Sequence, residues 1–471
     1  MTAISSGTRN SGAILAVILI SYLMIILDVS IVITGLPRIR DELGFTPSAL
    51  GWIQSAYTLS FGGFLLLGAR AGDILGRRRT FQIGLAVFTI ASVAIGLAQT
   101  ASWMIAARSV QGLGAAILAP STLALLSASF PEGPERMRAT AWYGSTAGIG
   151  ASIGLVLGGI LADTLSWRFG FFINLPIGIA MAVLGSRYIE ETERQKGHFD
   201  LLGAIGSTLG FGCLTYGVLN SGEQGWSDPV TSATVITGLV VIALFVWHES
   251  RSPQPIMPLR LFSSRERVGA YIARFLYLAA MVGFFFFTTQ LMQGVEGFSP
   301  LLAGVGFLPM TLVNFAVAMF VPHLSQKLGN KRLLLLGVFV TFVGMYWLSR
   351  ATGDASYLFD VAIPMILIGA GQGFCFAPLT STAIKGTEKR DAGAASGLVN
   401  VAHQMGMSFG LAFLIAISTF ATSGEAGPAA IAHGFSVAIR TGSLLILAAF
   451  VAAWLLLPND MKSLRLDPAK A

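Results

Sequence analysis

Fourteen apolar segments follow one another along the chain, and each is long enough to cross a lipid bilayer as a helix. A bilayer core about 30 Å thick needs roughly 17–25 helical residues, and lipid offers no partner to an unpaired backbone group. The segments lie at residues 12–35, 49–69, 80–98, 103–128, 139–161, 168–189, 201–220, 230–248, 268–292, 300–322, 332–349, 359–381, 393–421 and 440–457. The sequence therefore predicts an all-α membrane protein with 14 transmembrane helices.

The composition supports lipid as the solvent of this chain. Of its 471 residues, 54% are hydrophobic and 11% are charged, whereas soluble domains carry roughly 25% charged residues. The net charge of +7 comes from basic residues in short loops between apolar segments, which favours membrane topology over nucleic-acid binding. Cys213 and Cys375 both lie in apolar segments, so we expect packing roles and neither a disulfide nor a metal cluster.

The distribution of basic residues predicts the orientation. Most Lys and Arg residues lie in loops that follow even-numbered segments, such as Arg77, Arg78 and Arg79 after the second. Few lie on the other side, among them Arg350 and Arg440. Because cytoplasmic loops carry the positive excess, we expect both termini in the cytoplasm and the chain in the inner membrane of a bacterium.

The chain also contains a weak internal repeat. LGFTPSALG at 43–51 resembles EGFSPLLAG at 296–304, and the same shift of 253 residues brings LGRRRTFQIG at 75–84 onto LGNKRLLLLG at 328–337. We therefore expect an N-terminal six-helix bundle over 1–189 and a C-terminal one over 268–471. The linker between them, 190–267, adds two transmembrane helices. Two parallel halves are typical of transporters in which one half rocks against the other around a midplane site.

Six short motifs, in order along the chain, resemble those of one family. They are LDVSIVITGLP (27–37), ARAGDILGRRR (69–79), RSVQGLGAA (108–116), SWRFGFFINLPIG (166–178), FDLLG (199–203) and PIMPLRLF (255–262). Together they resemble the major facilitator superfamily, specifically its fourteen-span drug:proton antiporters. The resemblance implies the major facilitator fold, with an inserted helix pair, and export of drugs or toxic compounds in exchange for protons by alternating access.

The sequence departs from the family pattern at three positions. The loop motif opens with Ala69 where the family usually has Gly, and Ile74 replaces a position that is often basic. In the fifth segment, Leu155 replaces the proline of the antiporter motif. Proline kinks a helix by removing a hydrogen bond, and this kink belongs to the antiporter motif. Since the proline is missing, the sequence predicts the fold more firmly than the direction of transport.

Asp28 is the one acid in the apolar run LMIILDVSIVITGLP at 23–37. An ionisable residue within a bilayer is costly and usually functional. At 1.5 Å per residue, Asp28 is expected about 24 Å from the inner end of its helix, at a depth similar to Arg108. Our hypothesis is that Asp28 carries the proton and Arg108 tunes it. The alternative is a fixed ion pair that only holds helices together.

Two further sets of residues suggest gating. Asp73 of the loop motif, with Gly76, Arg77 and Arg78, resembles a brace at the cytoplasmic side that forms in one conformation and releases in another. A plain topology signal is the alternative. The glycines of the fifth segment allow close packing and flexibility, and those assigned to gating are Gly154 and Gly158.

Polar and aromatic residues of the segments are candidates for lining a substrate cavity, although packing is an equally good explanation for each one. They are Gln54, Tyr57, Gln111, Tyr143, Arg274, Tyr277, Phe284, Gln290, Asn314, Gln372, Asn400, His403 and Gln404. For Arg274, snorkelling to the cytoplasmic interface is the alternative. As a set they predict a large, mostly apolar cavity suited to lipophilic compounds, including cationic ones.

Motifs for other activities are absent from the sequence. There is no GxxxxGK[ST] loop, HExxH or GxSxG, so we expect no enzyme activity, no catalytic or metal site and no cofactor, with the proton gradient as the energy source. The expected partners are lipophilic small molecules, protons and membrane lipids, and the protein is expected to act as a monomer without nucleic acid. Two alternatives remain, namely a transporter of a single metabolite or antibiotic (exporter or proton symporter), and a membrane receptor without transport.

Overall fold

A computed structural model describes residues 11–192, 194, 199–351, 356–388 and 391–458, which form helices and no strands. Fourteen of the helices, or pairs of helices that continue each other, are long and apolar enough to span a membrane. They are α1 (Ser11–Leu43), α2 (Ser48–Leu75), α3 (Arg77–Gly96), α4 (Ala101–Ser129), α5 (Pro134–Thr164), α6 (Phe169–Tyr188), α7 (Leu201–Gln224), α8 (Pro229–Arg251), α9 (Arg265–Gly294), α10 (Pro300–Leu328), α11 (Asn330–Leu348), α12 (Tyr357–Ile384), α13 (Gly393–Ala421) and α14 (Gly427–Leu456). The prediction of a multi-pass, all-α membrane protein is confirmed.

Two helix boundaries differ enough to change how charged residues are placed. Helix α1 continues to Leu43, eight residues past the predicted end, so Asp28 lies near its middle rather than towards its outer end. Helix α14 begins at Gly427, well before the predicted start at residue 440, so Arg440 lies within the helix and not at its beginning. The charge of Arg440 lowers the local hydropathy and hides the first turns of this helix from a search for apolar runs.

The internal repeat is visible in the backbone as well as in the sequence. Gly44 and Gly297, one repeat length apart, both lie in the connection after the first helix of their half, with positive φ values of 68° and 70°. Gly76 and Gly329, also one repeat length apart, lie directly before the third helix of each half, with φ values of 98° and 80°. Only glycine adopts this backbone region at little cost, so the repeated glycines give both halves the same connections. The two six-helix halves are α1–α6 and α9–α14, and α7 and α8 form the inserted pair.

The buried apolar side chains form one cluster that joins the halves on one side of the membrane and separate clusters towards the other, where α2 and α13 still pack together at Leu66 and Gly397. We call the side where α1 begins and α14 ends the terminal side, and the opposite one the far side. One cluster of buried side chains extends through the C-terminal half and into the far side of the N-terminal half, where it includes Val32, Ile95 and Leu155. The terminal side of the N-terminal half has its own cluster, which includes the fully buried Ile18 and Phe81.

Helices α5 and α10 make a reciprocal contact between the halves on the far side. A Cβ added at Gly159 would lie 2.5 Å from the carbonyl oxygen of Pro300, and one added at Gly304 would lie 2.4 Å from that of Leu155. Two helix backbones approach this closely only where both present glycine. Leu155, at the position of the motif proline, is therefore buried in the interface, within a helix that runs unbroken from Pro134 to Thr164.

The inserted helix α7 lies over the seam between the halves. Gly63 of α2, in the N-terminal half, contacts Thr208 of α7, and Gly222 of α7 contacts Ala416 of α13, in the C-terminal half. Its partner α8 packs mainly on α7 and has little other buried surface. Helix α7 therefore touches both halves, while most of the apolar surface of α8 is exposed.

Candidate functional site

Asp28 and Arg108 form a buried ion pair in the N-terminal half. Arg108 Nη1 lies 2.6 Å from Asp28 Oδ2, and both side chains have no exposed surface. Asp28 comes from the middle of α1 and Arg108 from the eighth position of α4. The two helices enter the membrane from opposite sides, so these positions bring the charges to one depth.

Polar side chains from three helices complete this group. Gln111 Nε2 donates to Asp28 Oδ1 at 2.7 Å and to Ser92 Oγ at 2.8 Å. Asn174 Nδ2, from α6, lies 3.4 Å from Asp28 Oδ1 and 3.2 Å from Ser92 Oγ. Arg108 also donates to Gln111 Oε1 at 2.6 Å. Both carboxylate oxygens of Asp28 are thus hydrogen-bonded, which is what a buried charge requires.

The group forms a polar layer between two apolar clusters. Along α1, Ile25 belongs to the terminal-side cluster and Val32 to the far-side one, with Asp28 between them. Along α3, Phe88 and Ile95 flank Ser92 in the same way. The layer therefore crosses the N-terminal half at mid-depth, with apolar side chains on both sides of it.

Tyr57 and the backbone of α2 close the layer over the guanidinium. Arg108 Nε donates to the carbonyl oxygen of Ile53 at 2.9 Å, and its Cζ lies 4.3 Å from the centre of the Tyr57 ring. Tyr57 is fully buried. Tyr57 and Gln111, predicted as cavity lining, therefore belong to the ion-pair group. Asp28 has no exposed surface, so water meets its carboxylate only if this layer opens.

A second polar group surrounds Arg274 in the C-terminal half. Arg274 Nη2 donates to His403 Nδ1 at 3.0 Å, and Nη1 lies 3.5 Å from Thr380 Oγ1. Its Cζ lies 4.6 Å from the centre of the Phe376 ring. Arg274 is 7% exposed, so it binds neighbours from α12 and α13 rather than snorkelling to the interface. Since His403 accepts through Nδ1, its ring is neutral with the proton on Nε2.

The other predicted lining residues range from fully buried in the core to exposed. Tyr277, bonded to Thr341 at 3.0 Å, and Phe284 are fully buried in the core of the C-terminal half. Tyr143 stacks on Tyr22 with ring centres 4.0 Å apart. Buried side chains with an unpaired amide oxygen are Gln54 and Gln372. Half-buried ones are Gln290, Asn314 and Gln404, and Asn400 is exposed.

The loop motif is held within the N-terminal half. Asp73 lies 4.0 Å from Arg77 and 3.9 Å from Arg70, while Arg78 Nη1 donates to the carbonyl oxygen of Ile189 at 3.4 Å. The Arg78 side chain thus pairs with backbone and not with Asp73.

Glu191 binds the start of α3 next to this motif. Its carboxylate accepts from the backbone N–H groups of Arg78 and Arg79, each at 3.0 Å. A Cβ at Gly76 would lie 2.5 Å from its Oε1, so this glycine leaves room for the carboxylate at a helix N-terminus, where negative charge is favoured.

The glycines of α5 serve close packing on α1. A Cβ at Gly154 would lie 2.6 Å from the Cβ of Ser30, and one at Gly158 would lie 2.7 Å from the Cα of Ile31. These residues hold α5 against the helix that carries Asp28. A movement of α5 together with α10 would therefore shift α1 and the Asp28 side chain that it carries.

One cluster of ionisable residues was not predicted. Ligand atoms of Asp200, His248 and Glu249 lie within 4.8 Å of one another at the terminal-side ends of α7 and α8. Burial acts to raise the pKa of Asp200, but hydrogen bonds from the Gly203 N–H and from His248 lower it below its ordinary value. The Met257 N–H donates to Glu249 at 2.7 Å, so the cluster joins the inserted pair to the following linker.

Sequence reasoning also missed four neighbours of the two buried charges, namely Ser92, Asn174, Phe376 and Thr380. Asn174 lies in the motif SWRFGFFINLPIG and is the one amide in an otherwise apolar stretch, which is the signal that was available. Serine, threonine and phenylalanine are common in membrane helices, so their proximity to a charge becomes visible only in three dimensions.

Comparisons with known proteins bear on the whole chain. A family model described as the Major Facilitator Superfamily matches residues 18–411. The chain is 37% identical over 452 residues to the cephamycin export protein CmcT of Amycolatopsis lactamdurans, covering 95% of this chain and 93% of that protein. It is 35% identical over 459 residues to the puromycin resistance protein pur8 of Streptomyces alboniger, covering 94% and 91%. A crystal structure of a D-xylose-proton symporter superposes with a TM-score of 0.68 at 15% identity, covering 95% and 98%, a likeness of fold alone.

Proposed function

Since the chain belongs to the major facilitator superfamily, we propose that it is a proton-coupled antiporter that exports lipophilic compounds by alternating access. The family and the relatives make it a transporter rather than an enzyme. Export is supported by relatives that are named for export of, or resistance to, antibiotics. We further propose the inner membrane of a bacterium, with both termini in the cytoplasm, because basic residues are concentrated in loops on the terminal side.

The observation that carries proton coupling is the Asp28–Arg108 pair at mid-depth. It is the one pair of fully buried opposite charges among the described residues. A carboxylate held by a guanidinium is stable while the layer is closed. When movement of α1 relative to α4 admits water, protonation of Asp28 competes with Arg108 for the carboxylate. The same residue then binds a proton in one conformation and releases it in the other, which is the requirement for coupling.

The far-side contact supports alternating access as the mechanism. The halves share one apolar core on the far side and have separate cores towards the terminal side. With the proposed orientation, the shared core closes the outer side, while on the cytoplasmic side the halves stay in contact through α2 and α13, where Leu66 meets Gly397. The reciprocal glycine contact of α5 and α10 is the element that must open for release.

A second candidate is an exporter dedicated to one compound. It is favoured by the relatives, because the names of CmcT and pur8 each mention a single antibiotic. Both candidates use the same fold and the same ion pair. They differ in how many compounds drive proton movement.

Purified protein in liposomes with an imposed pH gradient tests both. Proton movement triggered by several unrelated lipophilic dyes and drugs, and absent from empty liposomes, is the expected result. A response to one compound alone would favour the dedicated exporter. If thermal unfolding shows that the protein is folded, then the absence of proton movement with every compound would contradict proton-coupled transport.

A further inference from the structure

Arg274 is a buried positive charge that has no negative partner among the described residues. Its side chain is 7% exposed, and none of the ion pairs among the described residues includes it. Of its five N–H donors, two have acceptors, in His403 and Thr380, while Nε is buried without one. A guanidinium stays charged at any physiological pH, and burying it unpaired is costly.

The contrast with Arg108 sharpens this observation. Arg108 is fully buried too, but it meets Asp28 at 2.6 Å. At the position related to Asp28 by the repeat, the C-terminal half has Met281. The N-terminal half therefore contains a compensated pair and the C-terminal half an uncompensated cation. Phe376 offers a ring face, which attracts a cation but leaves the remaining N–H groups without acceptors.

Arg274 lies between two apolar clusters and close to the N-terminal half. Along α9, Tyr271 belongs to a small terminal-side cluster and Tyr277 to the large core, with Arg274 between them. Tyr22, from α1 of the other half, is within electrostatic range of the guanidinium. Tyr22 and His403 are half-buried, and Asn400, one turn from His403, is exposed. The cation is thus close to the other half and to half-buried and exposed side chains of α13.

We propose that Arg274 binds an anionic group, such as a carboxylate, of the exported compound. The guanidinium fork matches a carboxylate in two-point geometry, and His403 and Thr380 hold the fork in place. Phe376 and the stacked pair of Tyr22 and Tyr143 supply aromatic surface for the apolar part of the same molecule. This inference rests on the proposed export function and narrows its substrate to lipophilic acids and zwitterions.

The proposal has an energetic consequence. Inward movement of a proton and outward movement of a negative charge both make the inside of the cell more positive. Export of an acid therefore draws on the membrane potential as well as on the pH gradient. Export of a compound that lacks the negative charge, at the same proton stoichiometry, depends less on the potential.

The test uses a rhodamine dye with a free carboxylate and the methyl ester of the same dye. Binding of both is measured by fluorescence anisotropy with the purified full chain, and export is measured in liposomes with an imposed potential. We expect the acid to bind the wild type about tenfold or more tightly than the ester. Arg274→Gln should abolish this preference while ester binding persists, and Arg274→Lys, which keeps the charge without the fork, should retain part of it. Arg440→Gln, on the far side, is the matched control and should leave both affinities unchanged.

The outcomes separate this proposal from the export function. Equal binding of acid and ester by the wild type, or a preference for the acid that survives Arg274→Gln, would overturn the anion site while export remains. Export of neither dye by the folded wild type would overturn the proposed function and this proposal with it. Ester binding reports that the Arg274→Gln variant is folded.

Discussion

Asp28 is the residue on which proton coupling depends, and its neighbours explain how it tolerates burial. Arg108, Gln111 and Asn174 supply hydrogen bonds to both of its carboxylate oxygens. Removing one member of a buried ion pair leaves the other charge uncompensated, at a typical cost of about 3–5 kcal/mol. Removing both charges together avoids this cost. The pair can therefore be tested for structural and functional roles separately.

We predict that Asp28→Asn lowers the free energy of unfolding by about 3 kcal/mol and abolishes proton-driven export. The double variant Asp28→Asn/Arg108→Gln should recover most of that stability, because no buried charge remains, but it should not recover export. Thermal unfolding in detergent and proton movement in liposomes measure the two effects. Export by the double variant at wild-type rate would identify the pair as a structural brace only.

The sequence alone did not decide between the two roles considered for Arg274. Its position near the terminal-side end of α9 fits snorkelling as well as a cavity role. The choice between them depends on the rotamer and on the residues that α12 and α13 bring nearby. In the structure these are Phe376, Thr380 and His403.

Helices α5 and α10 form the element pair that closes the far side. Their contact needs glycine on each helix, because each would-be Cβ meets a backbone carbonyl of the other helix. A backbone atom cannot move aside as a side chain does, so any larger residue separates the helices. The same helix, α5, packs through Gly154 and Gly158 on α1, which connects the far-side contact with the helix of Asp28.

We predict that Gly159→Ala weakens closure of the far side, because its Cβ would lie 2.5 Å from the carbonyl oxygen of Pro300. A cysteine placed at Thr34, which is buried on the far side, should react several-fold faster with a membrane-impermeant maleimide in this variant. Gly144→Ala, in the same helix with nothing within 4 Å of its Cβ, is the matched control. Equal labelling rates in the two variants would mean that this contact does not control access.

Repeated caps make the two halves alike at the level of elements. Thr46 and Ser299 each accept from a backbone N–H three residues on, Ala49 and Leu302 respectively, at the start of corresponding helices. Such caps are readable from sequence because Ser or Thr before Pro is a typical helix start. The repeat in the sequence is therefore matched by repeated helix starts in the structure.

For the whole molecule, alternating access requires the contacts between the halves to open on each side in turn. Besides the α5–α10 contact, the halves meet where α2 packs on α13. Ser55 Oγ donates to the carbonyl oxygen of Ser408 at 3.3 Å, and Ser408 Oγ donates to that of Ser55 at 3.4 Å. Helix α7 lies over this seam, so the inserted pair must move with one half or slide over both.

We predict that a disulfide between Ser55→Cys and Ser408→Cys, in a background without Cys213 and Cys375, stops export, because it ties the halves at this seam. Binding of a substrate dye from the terminal side should persist, since the far side is already closed. Reduction should restore transport, and each single cysteine variant should transport under oxidising conditions. Full export by the cross-linked protein would place the moving contact elsewhere.

The sequence by itself determined that the chain lies in lipid and how many helices span the membrane. It also determined the internal repeat and the family. These follow from hydropathy, charge distribution and local turn chemistry, each of which is a property of a short stretch of chain. It also marked Asp28, Arg108 and Arg274 as charges inside membrane segments. It did not determine their partners.

Only the tertiary structure decided which charge is compensated and which is not. Arg108 meets Asp28, whereas Arg274 meets His403, Thr380 and a phenylalanine ring. A helix that is apolar all round gives little indication of the face it turns to its neighbours. The rotation and depth of each helix follow from packing against the others, so the polar layer and the closed far side emerge only when all the helices are in place.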